Sequence, residues 1–264
     1  MTLRVAVAGG NGRMGQTLIA LIGEAPDMAL AGLTLAPEES VPAQAPCDPQ
    51  LYTHDIHAAL AEADVLVDFT SPATIASHSA AAAEHGVAWV LGTTGLEANE
   101  QARVTACSEQ VAVCQAANFS TGVNLMLKLV ELAAAAVDDD TDLEVIEAHH
   151  RHKVDAPSGT ALAIGKALAA GRGVALDDKA VMAREGITGA RPEGAIGFAT
   201  IRGGDIVGDH TALFASEGER IEITHRAGTR QAFARGALRA ARWLQEKPAG
   251  YYDMQDVLQL RDKV

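Results

Sequence analysis

Residues 3–15 read LRVAVAGGNGRMG, an apolar run from Leu3 to Ala8 followed by a glycine cluster that ends at Gly15. Apolar residues then recur at helical spacing, so the order is strand, glycine turn and helix. This order is typical of a dinucleotide-binding unit, in which Gly9 permits the tight turn and Gly12 lets the backbone approach a pyrophosphate. We expect the phosphates to lie at the helix N-terminus, in contact with Gly9, Gly10, Asn11, Gly12, Arg13 and Met14.

Short apolar runs continue to alternate with helical segments through the first 120 residues. Strands are predicted at residues 28–35, 63–69, 86–91 and 111–116, and a helix at residues 75–85. This alternation favours an α/β fold with a Rossmann-like, doubly wound parallel sheet, whose ligands bind at the carboxyl ends of the strands. We therefore predict a dinucleotide-binding domain over residues 1–120.

The pattern changes after residue 120. The predicted elements are a long amphipathic helix from Asn124, a strand at 143–148, a helix at 161–170 and strands at 195–202, 205–215 and 220–225. The last three runs are separated only by short turns, which predicts hairpins in a mixed or antiparallel sheet. We expect a second, α+β domain over residues 121–228 and a C-terminal segment over residues 229–264. Apolar side chains on both faces of its sheet favour self-association.

The composition of the 264-residue chain is that of an ordinary globular protein. A formal net charge of −13 and 4% aromatic residues argue against nucleic-acid binding, which uses basic and stacking surfaces. No apolar run reaches membrane-spanning length, and the run after Met1 ends too early in glycine for a signal peptide. Cys47, Cys107 and Cys114 lack metal-binding spacing and are expected to be reduced thiols. We therefore expect a cytoplasmic protein with no nucleic-acid or membrane partner.

A second informative stretch, EAHHRHKVDAPSGT, covers residues 147–160. All five residues from His149 to Lys153 can carry positive charge, and a bound dianion would relieve their mutual repulsion. Ser158 is a suitable N-cap for the alanine-rich helix that follows, whose first N–H groups, at Gly159 and Thr160, form a carboxylate or phosphate site. From these residues alone, a solvated basic loop before a capped helix is an equally good interpretation.

The run EAHHRHKVDAPSGTA, which ends at Ala161, resembles the signature of bacterial dihydrodipicolinate reductase, now usually called 4-hydroxy-tetrahydrodipicolinate reductase. Segments at residues 9–15, 92–95 and 116–119 resemble the same family, in the same order. The resemblance implies NAD(P)H-dependent reduction of 4-hydroxy-tetrahydrodipicolinate, a cyclic dicarboxylate, to tetrahydrodipicolinate with loss of water, in lysine and diaminopimelate biosynthesis. It also implies a homotetramer built on the second sheet and a C-terminal segment that returns to the cofactor domain.

The resemblance also implies roles for individual residues. His149 and Lys153 would transfer protons, and His150 would bind the substrate. Gly159 and Thr160 would hold a substrate carboxylate through their N–H groups, a role that the helix N-terminus supports independently. The nicotinamide side of the cofactor is expected to contact Gly92, Thr93, Thr94, Ala116, Ala117, Asn118 and Phe119.

The pattern says less about the choice between NADH and NADPH. A dinucleotide-binding fold usually has an acid at the end of its second strand for the adenosine ribose, or an arginine for a 2′-phosphate. Leu35 and Ala36 occupy those places here, whereas the family commonly has an acidic and a basic residue. Glu38 and Glu39 lie just beyond and are equally well explained as solvated loop charges. Because Arg13 could also reach a phosphate, we expect weak discrimination between the two cofactors.

Other functions stay open at this point. A different dinucleotide-dependent dehydrogenase of an amino-acid pathway needs one base or one thiol and does not account for the run His-His-Arg-His-Lys. A non-catalytic dinucleotide-sensing module would not need that run intact. A zinc site formed by His149, His150 and His152 lacks suitable spacing and a fourth ligand, so no metal is expected.

Overall fold

The structure is a computed structural model that describes residues 2–261. Its contacts divide these residues into two compact units. The first unit comprises the residues up to Thr121 together with those from Arg230 onwards, and the second comprises Gly122–Thr229. Among the described residues, no helix combines the length and the apolar composition needed to span a bilayer.

The helices and strands follow in chain order. The first unit begins with β1 (Leu3–Ala8), α1 (Arg13–Glu24), β2 (Met28–Thr34), β3 (Tyr52–Thr53), α2 (Ile56–Leu60), β4 (Val65–Asp68), α3 (Ile75–His85), β5 (Ala88–Leu91), α4 (Ala98–Ser108) and β6 (Ala112–Gln115). The second unit contains α5 (Thr121–Ala136) from its second residue onwards, β7 (Asp142–His149), α6 (Gly159–Gly171), α7 (Leu176–Lys179), β8 (Ala180–Val181), β9 (Ile196–Arg202), β10 (Gly208–Ser216) and β11 (Glu219–Ala227). The first unit then resumes with α8 (Gln231–Leu244), β12 (Gly250–Tyr252) and α9 (Met254–Val257).

The described strands of the first unit form a parallel sheet in the order β12-β6-β5-β4-β1-β2-β3. Every neighbouring pair in this sheet is parallel. The chain passes from β1 through β2 and β3 on one side and through β4, β5 and β6 on the other, so the strand order reverses beside β1. Such sheets bind ligands at the carboxyl ends next to this reversal. The predicted doubly wound fold is confirmed.

The strands of this sheet are almost uniformly apolar because both of its faces are covered. Val5 and Val7 belong to the core that contains residues of α1 and α8. Ala6 and Ala8 belong to the core on the opposite face, which contains residues of α3 and α4. Parallel strands that are buried on both faces have continuous hydrophobic sequences, and the run from Val5 to Ala8 fits this rule, whereas Arg4 near the start of the strand is exposed.

The second unit contains a mixed sheet in the order β11-β10-β7-β9-β8. β10 pairs antiparallel with β7 and β11, whereas β9 pairs parallel with β7 and β8. The predicted hairpin between residues 195–202 and 205–215 is wrong, because β7 lies between β9 and β10. An alternating pattern identifies a strand but not its neighbour. The glycine turn after β9 continues the pairing with β7, since the Gly203 N–H donates to the His149 carbonyl oxygen at 2.9 Å.

One face of the mixed sheet is covered by helices and the other face is not, within the described residues. Val145, Phe198 and Phe214 are buried against α5 and α6. On the opposite face, Ile146 is only partly buried and Ile201 is 52% exposed. The second unit therefore has an uncovered sheet face that carries apolar side chains.

Candidate active site

β7 places the side chains of Glu147 and His149, at the start of the stretch 147–160, on the covered face of the mixed sheet. Successive side chains of a strand point to opposite faces, so Leu143, Val145, Glu147 and His149 share one face. Glu147 is 1% exposed and His149 is 8% exposed. The start of the stretch is therefore buried and not part of a solvated loop.

Both oxygens of the buried Glu147 carboxylate are hydrogen-bonded. Arg202 of β9 donates to Oε2 at 2.8 Å and to Oε1 at 2.9 Å, which makes a bidentate pair. Oε1 also accepts from the Ser158 N–H at 3.1 Å, and Oε2 accepts from His149 Nδ1. Burial raises the pKa of Glu147, but the hydrogen bonds from Arg202, His149 and Ser158 outweigh burial and hold that pKa below its usual value. Glu147 is therefore an anion at neutral pH.

The second ring nitrogen of His149 is open. Because a carboxylate can only accept, Nδ1 of His149 carries a proton, and Nε2 of the neutral ring does not. Within the described residues Nε2 makes no hydrogen bond, and it is not sealed from solvent. A Cβ atom added at Gly208 would lie 3.0 Å from Nε2. The glycine therefore leaves the approach to this nitrogen free.

A second buried histidine, His210 of β10, lies between His149 and the start of α6. Its ring meets the His149 ring edge-on, with 5.0 Å between the centroids, and its Nε2 is 3.1 Å from the Ser158 hydroxyl. Burial, reinforced by the neighbouring His149, lowers the pKa of His210 to about 4. His210 is therefore neutral near pH 7 and adds no charge to the site.

The N-terminus of α6 is open to an anion. Ser158 caps this helix as predicted, because its hydroxyl accepts from the Ala161 N–H at 3.1 Å. Among residues 2–261, the Gly159 N–H has no hydrogen-bond partner. A Cβ atom at Gly159 would meet nothing within 4 Å, and Thr160 beside it is partly buried. The helix dipole adds partial positive charge at this end, so the geometry suits a carboxylate.

His150 and Lys153 lie in the loop between β7 and α6. The Lys153 ammonium is 2.9 Å from Asp155 Oδ1, and this hydrogen bond lowers the pKa of Asp155. The Lys153 side chain is 22% exposed. His150 is partly buried, with its ring centroid 6.2 Å from that of His152. The loop therefore holds a partly shielded cation a few residues beyond His149.

In the first unit, the glycine loop connects β1 to α1. Gly9 has a φ of +73°, and the N–H groups of Gly9 and Gly10 donate to Thr34 at 3.0 and 2.8 Å. A Cβ atom at Gly15 would lie 2.2 Å from the Gly9 carbonyl oxygen, so only glycine permits this packing. No described side chain caps the N-terminus of α1. The loop and the first turn of α1 therefore fit the phosphates of a dinucleotide.

The loop after β2 holds an acid whose role the sequence pattern left undecided. Glu39 Oε2 accepts from the Ala36 N–H at 3.0 Å, which fixes the carboxylate at the end of β2. Asn11 of the glycine loop donates to the Ser40 carbonyl at 3.1 Å, while its own Oδ1 is buried with no partner among the described residues. The sequence between β2 and β3 contains no lysine or arginine. Glu39 is thus an acid held in the loop that follows β2, with no basic residue in the sequence of that connection.

A buried carboxylate also organises the carboxyl ends of β4 and β5. Asp68 accepts from His78 Nδ1 at 2.7 Å, from Thr70 Oγ1 at 2.6 Å and from Thr93 Oγ1 at 3.4 Å. Burial raises the pKa of Asp68, but the hydrogen bond and charge of His78 outweigh burial and lower it. Asp68 therefore connects the segment after β5 to the end of β4.

The predicted nicotinamide-side contacts differ in exposure. Thr93 and Phe119 are buried, and Phe119 meets Phe69 edge-on at a centroid distance of 5.5 Å. A Cβ atom at Gly92 would lie 2.1 Å from the Phe69 ring, which explains the glycine. The residues that are at least partly exposed at this edge of the sheet are Gly92, Thr94, Ala116, Ala117 and Asn118.

The structure adds Glu147, Arg202 and His210 to the residues identified from the sequence. Periodicity contains the signal for Glu147, because it follows Leu143 and Val145 at the next alternate position of β7. His210 occupies the equivalent buried face of β10. Arg202 could not be identified this way, since its carboxylate partner lies 55 residues earlier.

Two family models match the chain. The model described as "Dihydrodipicolinate reductase, N-terminus" matches residues 3–119, and "Dihydrodipicolinate reductase, C-terminus" matches residues 122–258. The chain belongs to the dihydrodipicolinate reductase family. It is thus an NAD(P)H-dependent oxidoreductase of lysine and diaminopimelate biosynthesis, which confirms the family and the enzyme class that the sequence resemblance implied.

Relatives match over nearly the whole chain. The 4-hydroxy-tetrahydrodipicolinate reductases of Burkholderia thailandensis and Herminiimonas arsenicoxydans are 50% and 48% identical to it, and each match covers 98% of this chain and 99% of the relative. A solved structure of dipicolinate-bound dihydrodipicolinate reductase from Paenisporosarcina sp. TG-14 is similar with a TM-score of 0.80 at 26% identity, covering 97% of this chain and 99% of that one. Both units of the fold are therefore shared with this family.

Proposed function

We propose that the chain reduces 4-hydroxy-tetrahydrodipicolinate to tetrahydrodipicolinate with loss of water, and that His149 and Lys153 transfer the protons. NAD(P)H supplies the hydride when it is bound, and the negative charge that then builds on the ring must be quenched by a nearby acid. The observation that carries the assignment is His149 itself. Its Nδ1 donates to a buried carboxylate, and its Nε2 is open near a helix N-terminus suited to an anion.

Lys153 is the second proton-transfer residue in this proposal. Its ammonium is held by Asp155 in the loop that leaves β7 directly after His149. A cation in that position also attracts a dicarboxylate, so Lys153 acts on both the charge and the protons of the substrate.

The substrate carboxylates are bound in this proposal by the start of α6 and by His150. The Gly159 N–H, which has no partner in the part of the chain that the structure describes, receives one carboxylate at the positive end of the helix dipole, with Thr160 next to it. His150, in the loop that ends at this helix, contributes a further donor to the cyclic dicarboxylate. The second unit thus corresponds to the substrate-binding domain.

The cofactor is bound in the first unit. Gly9 to Met14 contact the phosphates at the start of α1, and the strand ends at 92–94 and 116–119 line the nicotinamide side. Both NADH and NADPH serve as cofactors, and NADH binds more tightly by less than about tenfold, or ~1.4 kcal/mol. The Glu39 carboxylate supports this order, because it would accept from ribose hydroxyls and repel a 2′-phosphate.

The active form in this proposal is a cytoplasmic homotetramer. The uncovered face of the mixed sheet carries Ile146 and Ile201, and exposed apolar faces of this kind are covered by association. A second copy supplies the same apolar face and covers it without a further partner. The cytoplasm provides both nicotinamide cofactors and keeps the thiols reduced.

The experiment that tests the proposal is a coupled assay with freshly formed substrate. Pyruvate and aspartate semialdehyde are condensed in place, and loss of the reduced-nicotinamide absorbance is followed with either cofactor. The expected result is oxidation that depends on the condensation product. A folded protein that binds NAD(P)H but never oxidises it would contradict the proposal.

The proton-transfer assignment is tested by H149A and K153A. Each should lower kcat by roughly 10²–10⁴-fold, the usual contribution of a positioned acid or base, while NAD(P)H affinity stays nearly unchanged. The matched control is H54A, because His54 is an exposed histidine of the first unit. A large loss of cofactor affinity in H149A or K153A would overturn the assignment.

A further inference from the structure

The Glu147 carboxylate is fixed by side chains and backbone from several elements. Arg202 holds it from β9 with two hydrogen bonds, the Ser158 N–H holds it from the start of α6, and Thr200 Oγ1 adds a longer contact at 3.3 Å. These donors leave the carboxylate little freedom to rotate. Its remaining contact is with His149 Nδ1.

The contact between Glu147 and His149 Nδ1 determines which nitrogen of His149 is available to a substrate. A carboxylate accepts and never donates, so Nδ1 must keep its proton for as long as Glu147 is ionised. The hydrogen bonds from Arg202, His149 and the Ser158 N–H together outweigh the burial of Glu147 and keep it ionised. The proton that His149 exchanges with a substrate is therefore carried at Nε2.

The surroundings of Nε2 fit this assignment. A side chain at position 208 would begin 3.0 Å from Nε2 and 3.4 Å from Cδ2 of the same ring. The φ of Gly208 is not in the left-handed region, so the backbone itself does not require glycine there. The reason for glycine that the structure offers is the close packing of this position against the His149 ring.

We propose that Glu147 and Arg202 are positioning residues that hold His149 with Nδ1 protonated and Nε2 free, and that Gly208 keeps Nε2 accessible. The proposal rests on the proposed proton-transfer role of His149. Glu147 acts through His149 and does not itself touch the reacting atoms. Its negative charge also stabilises the imidazolium ring from which the proton is given.

The test begins with E147Q, which keeps the size of the side chain but removes its charge. kcat is expected to fall by roughly 10²–10³-fold, less than the largest loss in proton-transfer variants, with the substrate KM changed less than about threefold. The pH profile of kcat is a second readout and should differ from that of the wild-type protein, because E147Q removes the negative charge beside the His149 ring. The charged and titratable groups that surround this centre are Glu147, Arg202, His210, Lys153 and, beyond His210, His225.

A double variant separates positioning from general damage. If Glu147 acts through His149, E147Q should cause no further loss of kcat in an H149A background, because coupled residues are not additive. Losses that multiply in the double variant, or an unchanged kcat and pH profile in E147Q, would overturn the proposal. If H149A alone keeps full turnover, the proton-transfer role of His149 fails before that of Glu147 is tested. A wild-type protein that never oxidises NAD(P)H would contradict the proposed function itself, so the failures are distinguished.

G208A provides an independent test that leaves every buried charge in place. The added methyl group should obstruct Nε2 and lower kcat by about tenfold or more, with the thermal unfolding midpoint and cofactor binding little changed. G203A, in the neighbouring turn, is the matched control because a Cβ atom there meets nothing within 4 Å. Equal kcat values for G208A and G203A would overturn the assignment of Nε2.

Discussion

Replacing Arg202 by methionine should destabilise the second unit by leaving Glu147 charged, buried and without its strongest partner. Removing one member of a buried ion pair costs about 3–5 kcal/mol. The Arg202 side chain is 20% exposed, so water can replace part of the lost contact, and we expect the lower end, ~3 kcal/mol. For a chain of this size, that change corresponds to a fall of roughly 6–12 °C in the thermal unfolding midpoint.

The pH dependence of this loss follows from the lowered pKa of Glu147. A carboxylate whose folded pKa is depressed stabilises the fold fully above its ordinary value of 4.5 and loses that contribution as the pH falls through the folded value. R202M lacks this contribution. The difference between the wild-type protein and R202M should therefore be largest near pH 7 and become smaller in acid.

Thermal unfolding followed by circular dichroism at neutral and acidic pH measures both effects. R220M is the control, because Arg220 pairs with Glu222 on the surface of the same sheet, where the two side chains are 72% and 50% exposed. Such a pair contributes at most about 1 kcal/mol. An R202M midpoint equal to that of R220M, or a difference that does not shrink in acid, would refute the reasoning.

Three further predictions concern the cofactor, the substrate and the assembly. E39Q should bring the NADH and NADPH dissociation constants closer together, and a hundredfold preference of the wild-type protein for either cofactor would contradict the proposed limit of about tenfold. S158A removes the cap of α6 and should lower the free energy of unfolding by about 1 kcal/mol. It should also raise the substrate KM without changing the cofactor KM. An unchanged free energy of unfolding would count against the cap. I201R should shift the assembly to smaller species in sedimentation experiments, and an intact tetramer would show that this face is not the interface.

The sequence predicts the strongly apolar elements of the first unit well. β1 and α3 begin and end at the predicted residues, because β1 is buried on both faces and α3 is bounded by a glycine at its C-cap. The sequence pattern does not indicate α4. Its sequence, ANEQARVTACS, has Val104 as its single large aliphatic side chain, and only Val104, Cys107 and Ser108 are buried. A helix with so narrow a buried face leaves little periodic signal.

The strand order of the second unit shows a different limit of prediction from the sequence. The sequence predicts β9 and β10 as strands, but their short glycine connection predicts a hairpin that does not form. The preference for β7 as the common neighbour depends on contacts across the sheet, such as Val145 beside Phe198 and Ala212. Alternation along one strand cannot express those contacts.

The candidate site contains one feature that the sequence predicts and one that depends on contacts across the sheet. Glu147 and His149 are two residues apart on the buried face of one strand, so the sequence alone contains a carboxylate next to a histidine. A buried carboxylate requires further donors, which predicts that a partner exists but not where it lies. The fold supplies Arg202 through the parallel pairing of β9 with β7, in which Arg202 is the partner of His149 in register. The parallel pairing therefore does more than complete the sheet, because it brings to Glu147 the bidentate donor that fixes the carboxylate and, through it, the ring of His149.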